Sequence, residues 1–218
     1  MSAPAAPSNP PTQRDKNRAR TRRDIETAAL ELFEAKGYQE TTVEEIARTA
    51  GCSSATFFRH FGSKEDVLFA NEDEAARSLA RFTADRPDRS QQLGALAQPV
   101  SQFAQSFLTE ATSDAHRLTR LVMTTPDLEA RSLRMRLKWE HALSRTLAGE
   151  RGDEGPSFDQ VLLASLAVSC LSTALWQWQD AGESASIGAE TLRAFERAAA
   201  AVTARMPEGV DDPAALAL

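Results

Sequence analysis

Ser54, Ala55, Phe58 and Arg59 share one broad face if the segment from Ser54 to His60 is helical, because Ser54/Phe58 and Ala55/Arg59 are pairs four apart whose rows adjoin. Their chemistry suits the edges of base pairs. A serine hydroxyl pairs with several bases, an alanine methyl meets a thymine methyl, and an arginine fork matches guanine O6 and N7. Ser53, Thr56, His60 and Lys64 flank them and carry groups suited to phosphate oxygens. Thr42 belongs with these, at a helix N-terminus where unpaired N–H groups and the helix dipole favour anions. Phe57 and Phe61, four apart, point the other way, toward a small core with Leu32, Phe33, Ile46 and Ala47.

The elements that must position these groups can be read from the same stretch. Val43, Ile46, Ala47 and Ala50 repeat at helical spacing, and Ser53 is a good N-cap for the helix after it. Gly51 between them suits a tight reversal with positive φ. Helix, short glycine turn and second helix make a helix-turn-helix. A longer helix precedes it from about Arg14 to Lys36, with Ile25, Ala29, Leu32 and Phe33 inward and Gly37 as its stop. Thr41 or Thr42 starts the next helix, with Glu44 and Glu45 in its first turn.

Charge agrees with an anion-seeking end. The chain has 218 residues and a net charge of −6, but residues 1–64 hold ten Lys/Arg against eight Asp/Glu. Between Arg14 and Arg23 there are six basic residues, including Arg18, and one acid. Beside a helix-turn-helix, such a run reads as an arm or helix end that contacts phosphate, the alternative being a solvated helix start. Cys52 and Cys170 form no disulfide framework, no apolar leader opens the chain, and no run approaches 18 apolar residues. A reduced, cytoplasmic protein with no membrane partner is expected. His116 and His141 are isolated, so no metal site is expected, and no phosphate loop, nucleophile elbow or zinc-protease motif occurs. Neither a cofactor nor enzymatic activity is expected.

The rest of the chain is helical in pattern. Residues 1–13 form a Pro/Ala/Ser-rich tail expected to be disordered, 14–64 the DNA-binding domain, 65–206 a second domain, and 207–218 a second disordered tail. Ser63 caps a helix expected to run to the Pro87 region, with the domain boundary inside it. Leu93–Thr112 follows, with Pro99 as either a kink or a late start. Then come Asp114–Met123, a helix opened by Pro126, a loop at 149–156, Ser157–Ala181 and Ile187–Met206. The fold class is all-α, with about nine helices.

The stretch TTVEEIARTAGCSSATFFRHFGSKEDVL, preceded by ALELFEAKGY, resembles the DNA-binding domain of the TetR family of bacterial transcriptional regulators over about residues 20–70. That resemblance implies a three-helix DNA-binding domain joined to a larger helical regulatory domain. It also implies a homodimer that binds a palindromic operator, usually as a repressor released by a small ligand. Two positions depart from the family pattern. Phe58 stands where tyrosine is common, so it meets sugar or a thymine methyl rather than donating to phosphate, and Ala55 stands where glycine is frequent.

By the same resemblance the last two helices pair two copies, and their broad apolar surface agrees with burial. A ligand pocket falls among the middle helices, with Phe103, Phe107, Leu121, Met123, Met135, Trp139 and Trp176 as candidate walls. Residues 119–143 with 175–182 resemble the regulatory domain of mycofactocin-type TetR regulators, which implies a lipophilic ligand, acyl-CoA-like or drug-like. Arg131, Arg134, Arg136 and Lys138 then pair with its phosphates or form a solvated face. The alternatives to a ligand-released repressor are an all-helical enzyme or carrier without DNA binding, and a regulator that ignores ligands.

Overall fold

The structure, a computed structural model, describes residues 12–69, 71–109, 114–181 and 185–203, and every regular element among them is helical. The chain divides into two compact units, residues 1–70 and 71–218. The first holds α1 (Gln13–Lys36), α2 (Val43–Thr49), α3 (Ser54–His60) and a single turn, α4 (Asp66–Phe69). Side chains fix each of the three helix starts. Thr12 and Thr42 form capping boxes with Asp15 and Glu45, and the Ser53 hydroxyl accepts from the Thr56 N–H at 3.1 Å. Gln13 therefore begins α1 instead of closing the tail. Residues 1–11 and 204–218, where most of both tails was expected, lie outside the described residues.

Gly37 and Gly51 sit at φ +92 and +69, the left-handed region that disfavours a Cβ, and so they stop α1 and turn α2 into α3. Ile25, Phe33, Ile46 and Phe57 are fully buried, with Phe61 beside them. Leu32, expected inward, is only half-buried, and Leu30 takes the buried place. The Glu45 carboxylate accepts from both Thr42 and the Lys36 ammonium, and the Lys36 bond is the main reason its pKa falls to about 2.

The second unit holds α5 (Glu72–Ala84), α6 (Leu93–Phe103) with a π-helical run Ala104–Thr109, α7 (Ala115–Thr124), α8 (Pro126–Arg151), α9 (Phe158–Asp180) and α10 (Ile187–Thr203). Ser63 does cap a helix, accepting from the Asp66 N–H at 3.1 Å, but that helix is only α4. The long helix expected across the boundary is two pieces, with Asn71 in a turn before α5. Pro99 lies inside α6, which excludes a late start. α8 runs to Arg151 and stops at Gly152, φ +77, so residues 149–151 are helix and not loop.

Leu79, Leu96, Phe103, Trp139, Leu143, Leu147 and Leu171 form the centre of this unit's core. α9 is by length and composition able to cross a membrane, but half of its most apolar window is buried within the fold, where Ala164, Ala167, Leu171 and Ala174 join that core. At one end of the helices, Arg86 makes a bidentate pair with Glu150, at 2.5 and 2.9 Å, and also donates to the Thr83 carbonyl at 2.7 Å. Its side chain is 1% exposed and that of Glu150 10%. Nearby, Gln91 donates to the Leu147 carbonyl at 2.9 Å, and Gln160 donates to Gln91 and Asp153.

Removing one partner of a buried pair leaves the other charge uncompensated. Arg86→Ala is therefore expected to lower unfolding stability by about 3–5 kcal/mol, whereas Arg86→Met with Glu150→Leu loses much less, as read by urea denaturation.

Candidate nucleic-acid interface

α3 is seven residues long, about 10 Å, and its two faces are sharply different. Phe57 is fully buried and packs against Phe61, with ring centroids 5.8 Å apart. The outward positions are then Ala55, Phe58 and Arg59, all exposed, with Ser54 half-buried beside them. Phe58 is 54% exposed and its ring stands edge to face with Phe57, centroids 5.5 Å apart. An exposed phenyl ring at this point is an apolar surface for sugar or a thymine methyl. The four residues expected to read bases thus share the accessible side of one short helix.

A row of hydrogen bonds runs along this helix. Ser53 and Thr56 join through their hydroxyls at 3.1 Å, and the Arg59 guanidinium donates to the Thr56 hydroxyl at 2.8 Å. Thr56 thus orients Arg59, a role that spacing alone did not reveal. Thr42 is exposed, with its hydroxyl engaged in the α2 capping box. His60 lies at the end of α3, half-buried. Burial, and after it the charges of Arg18, Arg22 and Arg59, hold its pKa below the ordinary histidine value. Arg22, which was given no separate role, pairs with Glu26 at 3.0 Å and lies over the Phe61 ring at 4.9 Å. A basic patch therefore joins α1 to the end of α3.

Lys64 is placed differently from the expectation. Its ammonium donates to the backbone carbonyls of Tyr38, Gln39 and Thr41 at 2.6, 3.1 and 2.9 Å, and sits 4.4 Å from the Tyr38 ring centroid. An ammonium has three N–H donors, and all three are engaged in tying down the α1–α2 loop. The phosphate role is corrected to an internal one.

The expected ligand walls divide likewise. Phe103 and Trp139 are fully buried and pack edge to face at 5.6 Å, filling their own space. Met123 and Met135 are partly buried against the core, and Leu121 is half-buried. Phe107 lies among side chains outside the described set. Trp176 is no inner wall: it is 55% exposed on α9 and lines an open groove of about 420 Å³ with Arg136, Ser169, Ser172, Thr173 and Gln177. Arg131 and Lys138 are engaged with Glu72, at 3.1 and 2.7 Å, and Lys138 also with Asp73 at 2.8 Å. Arg134 is exposed. Of the four basic side chains expected at phosphates, only Arg136 lines this groove.

Two expected outcomes follow from these positions. Lys64→Met should lower thermal stability by the equivalent of about 1–3 kcal/mol while leaving the salt dependence of duplex binding unchanged; a phosphate contact would instead lower the salt slope by about one. A phosphate beside His60 favours the imidazolium that burial and the neighbouring arginines disfavour, so binding takes up a proton. Affinity should therefore rise as pH falls from about 7.5 to about 5.5, and His60→Gln should flatten that rise, as measured by fluorescence anisotropy at fixed salt.

Comparison with known proteins gives this geometry a setting. Residues 25–70 match the family model described as bacterial regulatory proteins, tetR family, and residues 90–207 match the MftR C-terminal domain. The HTH-type transcriptional regulator TcmR of Streptomyces glaucescens is 34% identical over 149 residues, 66% of each chain. The putative mycofactocin biosynthesis transcriptional regulator MftR of Mycobacterium tuberculosis is 26% identical over 163 residues, 75% of this chain and 82% of that one. Two solved structures share the fold at low identity. The SmeT–triclosan complex has TM-score 0.59 at 20% identity over 88% of this chain and 98% of that one. FadR from Bacillus subtilis with stearoyl-CoA has TM-score 0.55 at 18% over 81% and 96%. With a helix-turn-helix matched in the first unit and an MftR-type domain in the second, the chain belongs to the TetR family of bacterial transcriptional regulators.

Proposed function

We propose that this regulator is a repressor that binds a palindromic operator as a homodimer and is released by a small lipophilic ligand. The observation that carries the reading is the exposed face of α3, which is too small to select a site alone. Ser54, Ala55, Phe58 and Arg59 reach few base pairs, so two copies related by a two-fold axis supply the remaining specificity.

An apolar face in the second unit supports the pairing. On α9, Phe158 is 81% exposed and Leu162 48%, with Val161 and Trp176 also exposed; Leu133 and Leu137 are exposed on neighbouring α8. Exposed apolar residues in such number favour burial by a second copy. α10, expected to share the interface equally, presents small side chains at Ala199 to Ala201, with Phe195 turned inward.

The ligand reading rests on the MftR-type domain and on structural neighbours that hold stearoyl-CoA and triclosan. In this chain the apolar part of such a ligand has Met123 and Met135 to displace, since thioether side chains repack readily.

The test uses a palindromic duplex obtained by selection from random sequence. Arg59→Ala should relax specificity at one base in each half-site, costing about 1–3 kcal/mol there and little elsewhere. Leu162→Glu should shift sedimentation from dimer to monomer and weaken duplex binding in parallel. Binding to the duplex should weaken on adding stearoyl-CoA, lauroyl-CoA or triclosan; no response to all three overturns the ligand switch and leaves a regulator that ignores ligands of this class.

A further inference from the structure

α1 is longer than its own unit requires. Residues 12–20 are all exposed, residues 21 and 22 are half-buried, and Ile25 is the first fully buried position. Gln13–Asp24 is thus about 18 Å of helix held by its cap and its backbone instead of by a core. Its sequence works against it. Arg14, Arg18 and Arg22 repeat every four residues, so like charges face each other, and arginine at the N-terminal end opposes the helix dipole. Asp15, the one acid of the basic run, is taken by the Thr12 capping box. Neither Arg14 nor Arg18 makes a hydrogen bond or ion pair among the described residues.

Those three arginines form one stripe, and its direction is fixed. Arg22 is anchored over Phe61, the residue that closes α3. Arg18 is one turn farther out, close enough to His60 for its charge to act there, and Arg14 is one turn beyond. The basic surface that starts at Arg59 and His60 therefore continues outward along α1. Lys16, Arg20 and Arg23 lie on the opposite side of the helix, where they line a shallow concavity with Gln13 and Asn17.

We propose that the outer half of α1 is a second DNA-contacting element, in which Arg14 and Arg18, aligned by the anchored Arg22, follow one phosphate strand beyond the bases that α3 reads. From Arg14 to Arg18 is about 6 Å, the axial rise of about two phosphates of one strand. The phosphates neutralise the repulsion that the stripe carries in the free protein. The contact is blind to base sequence and lengthens the bound site. This inference rests on operator binding by α3.

The experiment compares two duplexes carrying the same selected palindrome, one ending at its edges and one extended by about six arbitrary base pairs on each side. The full-length protein is compared with Arg14→Ala/Arg18→Ala and with Lys16→Ala/Arg20→Ala, which removes the same charge from the opposite side. On the extended duplex, Arg14→Ala/Arg18→Ala should lower the slope of log K against log[salt] by about 0.9 per lost phosphate contact, close to two per subunit. On the short duplex that loss should shrink, and the ranking of duplexes with single-base changes should stay as it was. The opposite-side pair should change the slope far less on both. Equal slopes for wild type and Arg14→Ala/Arg18→Ala on the extended duplex overturn the inference, as do equal losses for both double variants, which mark diffuse attraction. A wild-type protein that enriches no duplex in the selection overturns the operator reading itself, a result distinct from tight binding with unchanged slopes.

Discussion

The rotation of α3 about its own axis is set by two phenyl rings. Phe57 has no exposed surface, and Phe61, four residues on, lies against it beneath the Arg22 guanidinium. Side chains four apart stack on the same side of a helix, so burying this pair leaves the rest of a seven-residue helix little freedom. A turn of about 100° would carry Phe58 inward and Phe57 outward, exposing a large apolar ring and burying nothing in return. What the protein can show to a base pair is therefore decided inside its core. The same ring that seats α3 also seats Arg22, so the core directs the basic stripe of α1 as well.

Around that core, several polar residues that look by type like anion contacts work inside the protein. The Lys64 ammonium holds three carbonyls of the α1–α2 loop, and Glu45 gathers Thr42 and Lys36 at the start of α2. These ties belong to a unit whose helices α2 and α3 are too short to be stable alone. Short helices need packing and capping together, and here the caps are hydroxyls three residues before the N–H groups they satisfy. The Ser53–Thr56–Arg59 row joins a cap to the positioning of an exposed side chain. The Ser53 hydroxyl closes the helix terminus, and the Thr56 hydroxyl bonded to it accepts from the Arg59 guanidinium one turn on.

Such differences explain what could be read from the sequence. Caps, glycine turns and the Phe57/Phe61 pair are local, so Gly51, Ser53 and the whole of α3 follow from spacing over a few residues. Lys64 was misread because its partners lie more than twenty residues earlier, and no local pattern marks a lysine whose donors are all engaged. The split between α4 and α5 was missed because Val67, Leu68, Ala75 and Leu79 keep helical spacing across the break. Trp176 was placed on an inner wall from its residue type, yet on α9 the neighbouring positions 175 and 178 face the core and leave 176 outside. Arg131 and Lys138 suit phosphate by composition, and Glu72 and Asp73, about sixty residues away, take them up instead.

Among the described residues three buried side-chain polar atoms lack a hydrogen-bond partner, on Arg86, Trp139 and Gln179, and the Trp139 indole lies at the centre of the regulatory core. Trp139 is 1% exposed, its ring packs edge to face with Phe103, and its indole N–H has no acceptor among the described residues. A buried donor without a partner costs about 1–3 kcal/mol, whereas a phenylalanine ring at the same place would carry no such penalty. Any acceptor that reached the indole would recover that cost. Phe103, its ring partner, ends the helix whose regular turns give way to a π-helical run at the next residue. π-helical turns interrupt the usual hydrogen-bond ladder and recur at functional sites. The edge-to-face ring pair, the buried indole donor and the irregular turn thus lie next to one another in the core.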